Sequence, residues 1–503
     1  MYPSASLFFV YFVFFVHFVV LRNPVMTIAE LQLALPEIFV LSMACVVLIA
    51  DLFISDERRG LTHLLALLTL VFAAILTLRV MLPAGEVAYA FSDTFIRDRF
   101  GDVLKVFSYV ILAGVFVYAK HSLRQADLFK GEFYTLSLFA LLGVMVLISA
   151  SNMITVYLGL ELLALSTYAL VALDRDSKFG SEAAMKYFVL GSLASGMLLY
   201  GMSLIYGATG SLELAAISQS VAGGLGDSMI LTFGLVFIVI GIAFKIGAVP
   251  FHMWVPDVYH GAPVAITTLI SSLPKLAYLA LAIRLLDNGL IGLHEDWKNM
   301  LAILVALSLV IGNVIAIAQT NIKRMLAYST ISHMGFMLMG VIAGTAAGYS
   351  AAMFYTISYA IMSAGAFAVV ILVSTAEREA DQLEDYKGLA KRNPWHALLM
   401  LMIMFSLAGV PVFLGFFAKW QVIAAALSAG FVWLAILGVI TSVIGAFYYL
   451  RIVKLMYFDE PDEAKAIEAP VDFRAMLAVN GVAVLGLGLF SGGLISLCVS
   501  AFV

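Results

Sequence analysis

Runs of about 20 consecutive, predominantly apolar residues recur along almost the whole chain, and this feature removes most folds from consideration. As a helix, a run of that length crosses a hydrocarbon core of roughly 30 Å. In lipid each backbone N–H and C=O needs an internal partner, so the runs must be α-helices. Composition agrees: 63% of the 503 residues are hydrophobic, only 12% are charged, and the mean hydropathy is +1.05, which excludes a water-soluble globule. The expected fold is an all-α polytopic membrane protein. Its spans are placed near 31–54, 61–82, 101–119, 133–150, 153–173, 186–208, 229–249, 262–286, 299–319, 325–344, 349–374, 396–423, 431–457 and 474–500, fourteen in all.

Residues 1–30 precede this core as an N-terminal extension. Its apolar run, "LFFVYFVFFVHFVVL" at 7–21, is short for a span and has no basic residue before it, so it fits a signal peptide poorly. It is either an extra helix or untranslated sequence ahead of Met26. The run has no small-residue face and no basic flank to fix a partner or an orientation. Deleting residues 1–25 is therefore expected to leave assembly and activity intact. Intact-mass measurement on the native subunit tests the start, since a mass that includes Met1 to Val25 shows the extension to be translated and retained.

Redox or metal chemistry has few candidate ligands here. The two cysteines, Cys45 and Cys498, stand singly in apolar runs, with no CxxC pair and no zinc spacing. Of eight histidines only His333 falls deep within a predicted span, which leaves a bis-histidine haem without its second ligand. There is neither a phosphate-binding loop nor a basic nucleic-acid stripe, and a formal net charge of −4 identifies no partner.

Eighteen of the 28 Lys and Arg lie in or beside loops that follow odd-numbered spans. Seven, Arg22, Arg79, Arg97, Arg99, Lys105, Arg284 and Lys298, lie toward the other face. The positive-inside rule then makes the odd loops cytoplasmic and puts both ends of the core outside. Three lysines, Lys245, Lys275 and Lys419, have no loop to reach.

Spans 4–8 (residues 132–286) and 9–13 (residues 299–457) form two blocks of five. The fourth span of each, spans 7 and 12, carries a Gly/Pro break beside a lysine: "KIGAVP" at 245–250 and "AGVPVFLGFFAK" at 408–419. Because five is odd, the second block enters the membrane from the opposite side. That is an inverted repeat, in which broken helices usually mark a midplane ion or substrate site. The two breaks do not align residue by residue, because Lys245 precedes its proline and Lys419 follows its own.

A lysine at mid-membrane costs roughly 2.5–3.5 kcal/mol on insertion scales, so each should face a bundle interior or a wet cavity. Proline frees backbone carbonyls, and those near Lys245 are expected to hold water and its ammonium. Burial disfavours the ammonium and a nearby carboxylate favours it, so a lysine poised between the two can load and release a proton. The carboxylate available is Glu161, the only acid in the middle of span 5. Lys275 follows Pro274 in span 8, and His333 in "YSTISHMGFMLMG" of span 10 can relay protons near neutral pH, with Ser329, Thr330 and Ser332 to hold bridging waters. Lys419 in span 12 ends the series. Each of these residues alone could merely tie helices together; together they trace a proton path. Glu37, Asp51 and Glu132 lie near helix ends, where capping suffices, and the many Phe, Met and Tyr read as lipid-facing and core surface.

Several stretches also resemble a known family: "LGLELLALSTYALVALDRDS", "EAAMKYFVLGSLASGMLLYG", "FKIGAVPFHMWVPDVYHGAP", "NIKRMLAYSTISHMGFMLMG" and "YKGLAKRNPWHALLMLMIMFSLAGVP". They are similar to the N-type antiporter-like membrane subunits of bacterial NADH:quinone oxidoreductase, respiratory complex I, across residues 31–503. The resemblance implies fourteen helices with two inverted five-helix repeats, a proton-channel role for Glu161 and Lys245, a connecting role for Lys275 and His333, and an exit-side role for Lys419. It places FMN, iron–sulfur clusters and quinone in or at partner subunits, with none in this chain. It further implies a bacterial inner membrane, neighbouring antiporter-like subunits and lipids as partners, and outward proton transfer driven by NADH oxidation elsewhere in the complex. The D-type chains of multisubunit Na+/H+ antiporters resemble the sequence too and are the alternative. A passive spacer between active subunits is disfavoured by the intact lysine set.

Overall fold

The computed structural model describes residues 27–226, 228–461 and 469–503; the run 7–21 and Met26 lie outside the described residues. The first helix opens with a capping box in which Thr27 and Glu30 satisfy each other's backbone N–H groups. Helices α1 (Ile28–Leu33), α2 (Leu35–Asp51) and α3 (Gly60–Arg79) follow. A small antiparallel hairpin, β1 (Ala88–Ala90) and β2 (Phe95–Arg97), pairs Ala88 with Arg97 and Ala90 with Phe95. The chain continues through α4 (Arg99–Gln125), α5 (Gly131–Ile148), α6 (Met153–Val171), α7 (Lys178–Thr209) and the short α8 (Leu214–Ser220). Next come α9 (Met229–Ile246), α10 (Trp254–Gly261), α11 (Val264–Ile283), α12 (His294–Ala318), α13 (Ile322–Val341) and α14 (Ala346–Val373). The last elements are α15 (Leu389–Arg392), α16 (Pro394–Ala408), α17 (Leu414–Ser428), α18 (Val432–Phe458), α19 (Val471–Leu489) and α20 (Ser491–Val499).

Among the described residues, 11 helices are long and apolar enough to cross a membrane on their own. Three further units have the place of a span without meeting that standard. Helix α2 has 17 residues, α16 and α17 are two arms of 15 residues each, and α13 is diluted by Ser329, Thr330, Ser332 and His333. The total is compatible with fourteen. Helix α11 forms the centre, with all of its 20 residues buried, and it packs on α14 and α4. Helices α3, α7 and α18 carry wide exposed apolar faces, as lipid or a neighbouring subunit requires.

Both breaks are built the same way. Helix α9 ends at Gly247 with φ +84°, and α16 ends at Gly409 with φ +88°. In each, the N–H of the glycine and of the next residue turn back onto one carbonyl: Ala243 at 3.0 and 2.8 Å, Phe405 at 3.1 and 3.0 Å. A left-handed residue without a Cβ closes such a cap at little cost, and Pro250 or Pro411 then prevents the helix from continuing. A second device also recurs. Asn152 caps α6 and pairs across an isolated bridge with Glu213, just as Asn321 caps α13 and pairs with Gln382. The two blocks therefore match at their glycines and asparagines, while the lysines stand on opposite arms of their breaks.

The charge map needs refinement. Arg97, Lys105 and Arg284, placed toward the outer face, do not reach water there: they are 1%, 0% and 2% exposed, and each is paired with a carboxylate. A cation in or next to the end of a span, as Arg97, Lys105 and Arg284 are, looks like a snorkelling residue in one dimension.

Candidate functional site

Glu161 projects from α6 and Lys245 from the last turn of α9. Their charged atoms are 4.0 Å apart, and the lysine also donates to Ser195 Oγ of α7 at 2.9 Å. Helices α7 and α9 approach closely because of their glycines: a Cβ on Gly201 would stand 2.8 Å from the Gly234 carbonyl oxygen. The Glu161 side chain keeps 21% exposure on the outside of the bundle, whereas Lys245 is 3% exposed.

The expectation that freed carbonyls hold Lys245 is wrong in detail. Trp254 Nε1 donates to the Phe244 carbonyl at 2.9 Å, and Ser308 Oγ accepts the Val249 N–H at 2.9 Å. The first break is thus sealed by other side chains. At the second break the expected chemistry occurs with the other lysine, for Lys419 Nζ donates to the Ala408 carbonyl and to Ser442 Oγ, each at 2.9 Å.

Lys275 is wholly buried in α11 and has no hydrogen-bond partner among the described residues. Three rings surround its ammonium, with centroids at 5.9 Å for Trp254, 5.7 Å for Tyr259 and 5.8 Å for Tyr278. Such faces stabilise a desolvated cation by about 2 kcal/mol. Trp254 stacks on Tyr187 at 4.7 Å, and Tyr187 meets Tyr168 at 4.5 Å, so aromatic residues fill the space between the Glu161 side and Lys275.

His333 lies between two tyrosines, its Nδ1 2.6 Å from Tyr355 Oη and its Nε2 3.0 Å from Tyr449 Oη. Ser329 also bonds Tyr449, Thr330 bonds Tyr359 at 2.7 Å, and Ser332 accepts from Asn313 at 2.8 Å. The serine and threonine hydroxyls expected to hold waters thus bind side chains. Tyr448 joins by donating to Asn313 Oδ1 at 2.9 Å. The Phe336 ring packs on Tyr355 at 5.9 Å and lies 5.2 Å from Lys419 Nζ, so the cluster reaches the second broken helix.

The tyrosines are what the sequence reading missed, since it assigned them to bulk apolar surface. One signal was available: Tyr355 and Tyr359 in "FYTISYA" are four apart and share a helical face, beside a helix that carries a histidine. Lys323 was also misjudged as a loop cation. It is 1% exposed and donates to the Ala262 carbonyl at 2.7 Å and to Glu379 at 2.6 Å, while Glu379 accepts the Val264 N–H at the start of α11. Nearby, a cavity of about 530 Å³ is lined by His260, Glu379 and Asp381 among others. Asp381, in the loop after α14, is held down to about 2 by its hydrogen bond with His260 and further ones with Gln382 and Asn321, so it stays ionised at any physiological pH.

Comparison with known proteins adds the following. Residues 150–445 match the family described as NADH:quinone oxidoreductase/Mrp antiporter, transmembrane. The chain is 54% identical to NADH-quinone oxidoreductase subunit N of Thioalkalivibrio sulfidiphilus, over 94% of this chain and 98% of that one. It is 53% identical to subunit N of Thiobacillus denitrificans, over 95% and 99%. Its fold superposes with a TM-score of 0.79 on a chain of respiratory complex I from Thermus thermophilus, at 30% identity over 93% of this chain and 100% of that one. A chain of the Mrp complex from a Dietzia species shares the fold, with a TM-score of 0.78 at 21% identity.

Proposed function

The chain belongs to the NADH-quinone oxidoreductase subunit N family, and from that premise we propose that it moves protons outward across the bacterial inner membrane as a membrane-arm subunit of complex I. The observation that carries this reading is the set of buried ionisable groups, Glu161, Lys245, Lys275, His333 and Lys419, spread over five helices and linked by aromatic and hydroxyl side chains. In this reading Glu161 and Lys245 load the proton, Lys275 and His333 pass it on, and Lys419 delivers it on the exit side. Both ends of the core face the periplasm, and the mouth at Glu379 and Asp381 faces the cytoplasm. Moving one charge against 100 mV costs about 2.3 kcal/mol, so the energy comes from NADH oxidation and quinone reduction in partner subunits that hold the FMN, iron–sulfur clusters and quinone. A carboxylate as open as Glu161 on a lipid-level face calls for a neighbouring subunit to cover it.

The test is NADH-driven acidification of vesicles containing the purified complex, in sodium-free and sodium-containing buffer. Acidification that needs NADH and ignores sodium is expected. Sodium-driven proton exchange without redox turnover would instead establish the antiporter reading. One link can be tested separately. Tyr449→Phe deprives Ser329 and His333 of a shared partner at a cost of about 1–3 kcal/mol. It should slow proton release roughly tenfold, with normal assembly. Wild-type release in that variant removes Tyr449 from the path.

A further inference from the structure

A second group of buried charges lies in the N-terminal part of the chain, within residues 33–109 and so outside the segment 150–445 that matches the family. It gathers Glu37 of α2, Arg97 of β2, and Asp102 and Lys105 of α4. These side chains are between 0% and 8% exposed.

The two ion pairs are built differently. Arg97 is saturated: it meets Asp102 at 2.8 Å through one terminal nitrogen and at 3.2 Å through Nε, and it donates to the carbonyls of Leu33 and Thr77. That is a fastener, and it fixes the hairpin to the bundle. Lys105 instead makes its one close ion pair with Glu37, at 2.5 Å, with the Phe95 ring 5.3 Å away and the carboxylates of Asp102 and Asp98 near enough to feel its charge. Glu37 Oε2 is buried without a hydrogen-bond partner among the described residues. A pair that only held helices together would be expected to use its donors and acceptors, because unmet ones are costly in a dry interior.

A direct structural link joins this region to the helix that carries Lys275. Asp98 caps α4 through the Gly101 N–H at 2.8 Å and takes both terminal nitrogens of Arg284 at 2.6 and 2.8 Å. Arg284 directly follows α11, nine residues and about 13.5 Å of helix beyond Lys275. The Asp98–Arg284 pair therefore ties the C-terminal end of α11 to the start of α4, seven residues before Lys105.

We propose that Glu37 and Lys105 form a second proton-holding site, through which protons are released to the outer side. In a low-dielectric site an ammonium–carboxylate pair and a neutral amine–carboxylic acid pair lie close in free energy. A proton leaves Lys105 Nζ for Glu37, one N–H bond breaking as one O–H bond forms. The Glu37 proton then passes to outer water, and Lys105 takes up the next.

This rests on the proton-path reading above, so the test carries a control for it. Lys105→Arg keeps the cation and its pair but not an exchangeable proton, and Glu37→Gln keeps shape but not the charge. In the assembled complex in vesicles, each should lower NADH-driven proton release about tenfold or more. Wild-type release in either assembled variant overturns the proposal, as does failure of both to assemble, which would make the pair a fastener. If only one assembles, its release rate decides. Lys245→Ala is measured beside them: if it too releases protons normally, the overall path reading fails, whereas a dead Lys245→Ala with a normal Lys105→Arg overturns this inference alone.

Discussion

Lys245→Ala is expected to abolish or sharply lower NADH-driven proton release, and Glu161→Gln to lower it roughly 100-fold while Glu161→Asp retains part of the activity. The geometry sets these expectations. At 4.0 Å the two charges are too far apart for a direct hydrogen bond, yet they attract by about 4 kcal/mol at an effective dielectric near 20, against about 1 kcal/mol in water. A small change in separation, or the arrival of water, is thus enough to change which protonation state of the lysine is preferred. Ser195 holds the amine in place in either state, because a hydroxyl can accept from an ammonium or donate to a neutral amine. The glutamine variant keeps shape and removes the charge, and the shorter aspartate can still act through water. Redox turnover falls with pumping if the two are tightly coupled. A normal proton-to-electron ratio in assembled Lys245→Ala sinks the assignment, and equal pumping by the Gln and Asp variants shows that the carboxylate charge is irrelevant.

Lys275→Met is expected to separate function from stability. The lysine is buried in the central helix with three aromatic rings as its only partners among the described residues. Removing it deletes an insertion cost of roughly 2.5–3.5 kcal/mol and forfeits a cation–aromatic attraction of about 2 kcal/mol. Methionine fills a similar volume, so the thermal unfolding temperature of the assembled complex should stay level or rise. Proton release should nonetheless fall by roughly 100-fold, since among the described residues no carboxylate, histidine or second amine pairs with Lys275 to take its place. Wild-type release by this variant excludes Lys275 from the path, and a marked drop in unfolding temperature refutes the claim that the lysine is held at an energetic cost.

The two variants also mark how far one dimension reaches. Lys245, Lys275 and Lys419 stood out because apolar runs without loops left them nowhere to go, and Glu161 because its span held no other central acid. Their surroundings did not stand out. Lys275 and Lys419 are both intramembrane lysines in sequence, yet one is caged by rings and the other donates to a broken helix. Carbonyl capture was expected at Lys245 and occurs at Lys419, because which side chain seals a break depends on what neighbouring helices bring to it: Trp254 and Ser308 in one case, the lysine itself and Ser442 in the other.

By itself the sequence determined that this chain lives in a membrane as a bundle of helices, where those helices run, and which charges cannot escape the lipid. The reason is that hydrophobic length and the obligation to satisfy the backbone internally act along the chain. Only the tertiary structure decided that tyrosines meet both ring nitrogens of His333, and that Glu37 with Lys105 is buried alongside the Arg97–Asp102 pair. Except for Arg97–Asp102, five positions apart, those facts depend on contacts between residues from about 20 to more than 100 positions apart, and the polarity of a residue near a helix end does not say whether it reaches for water or for a partner.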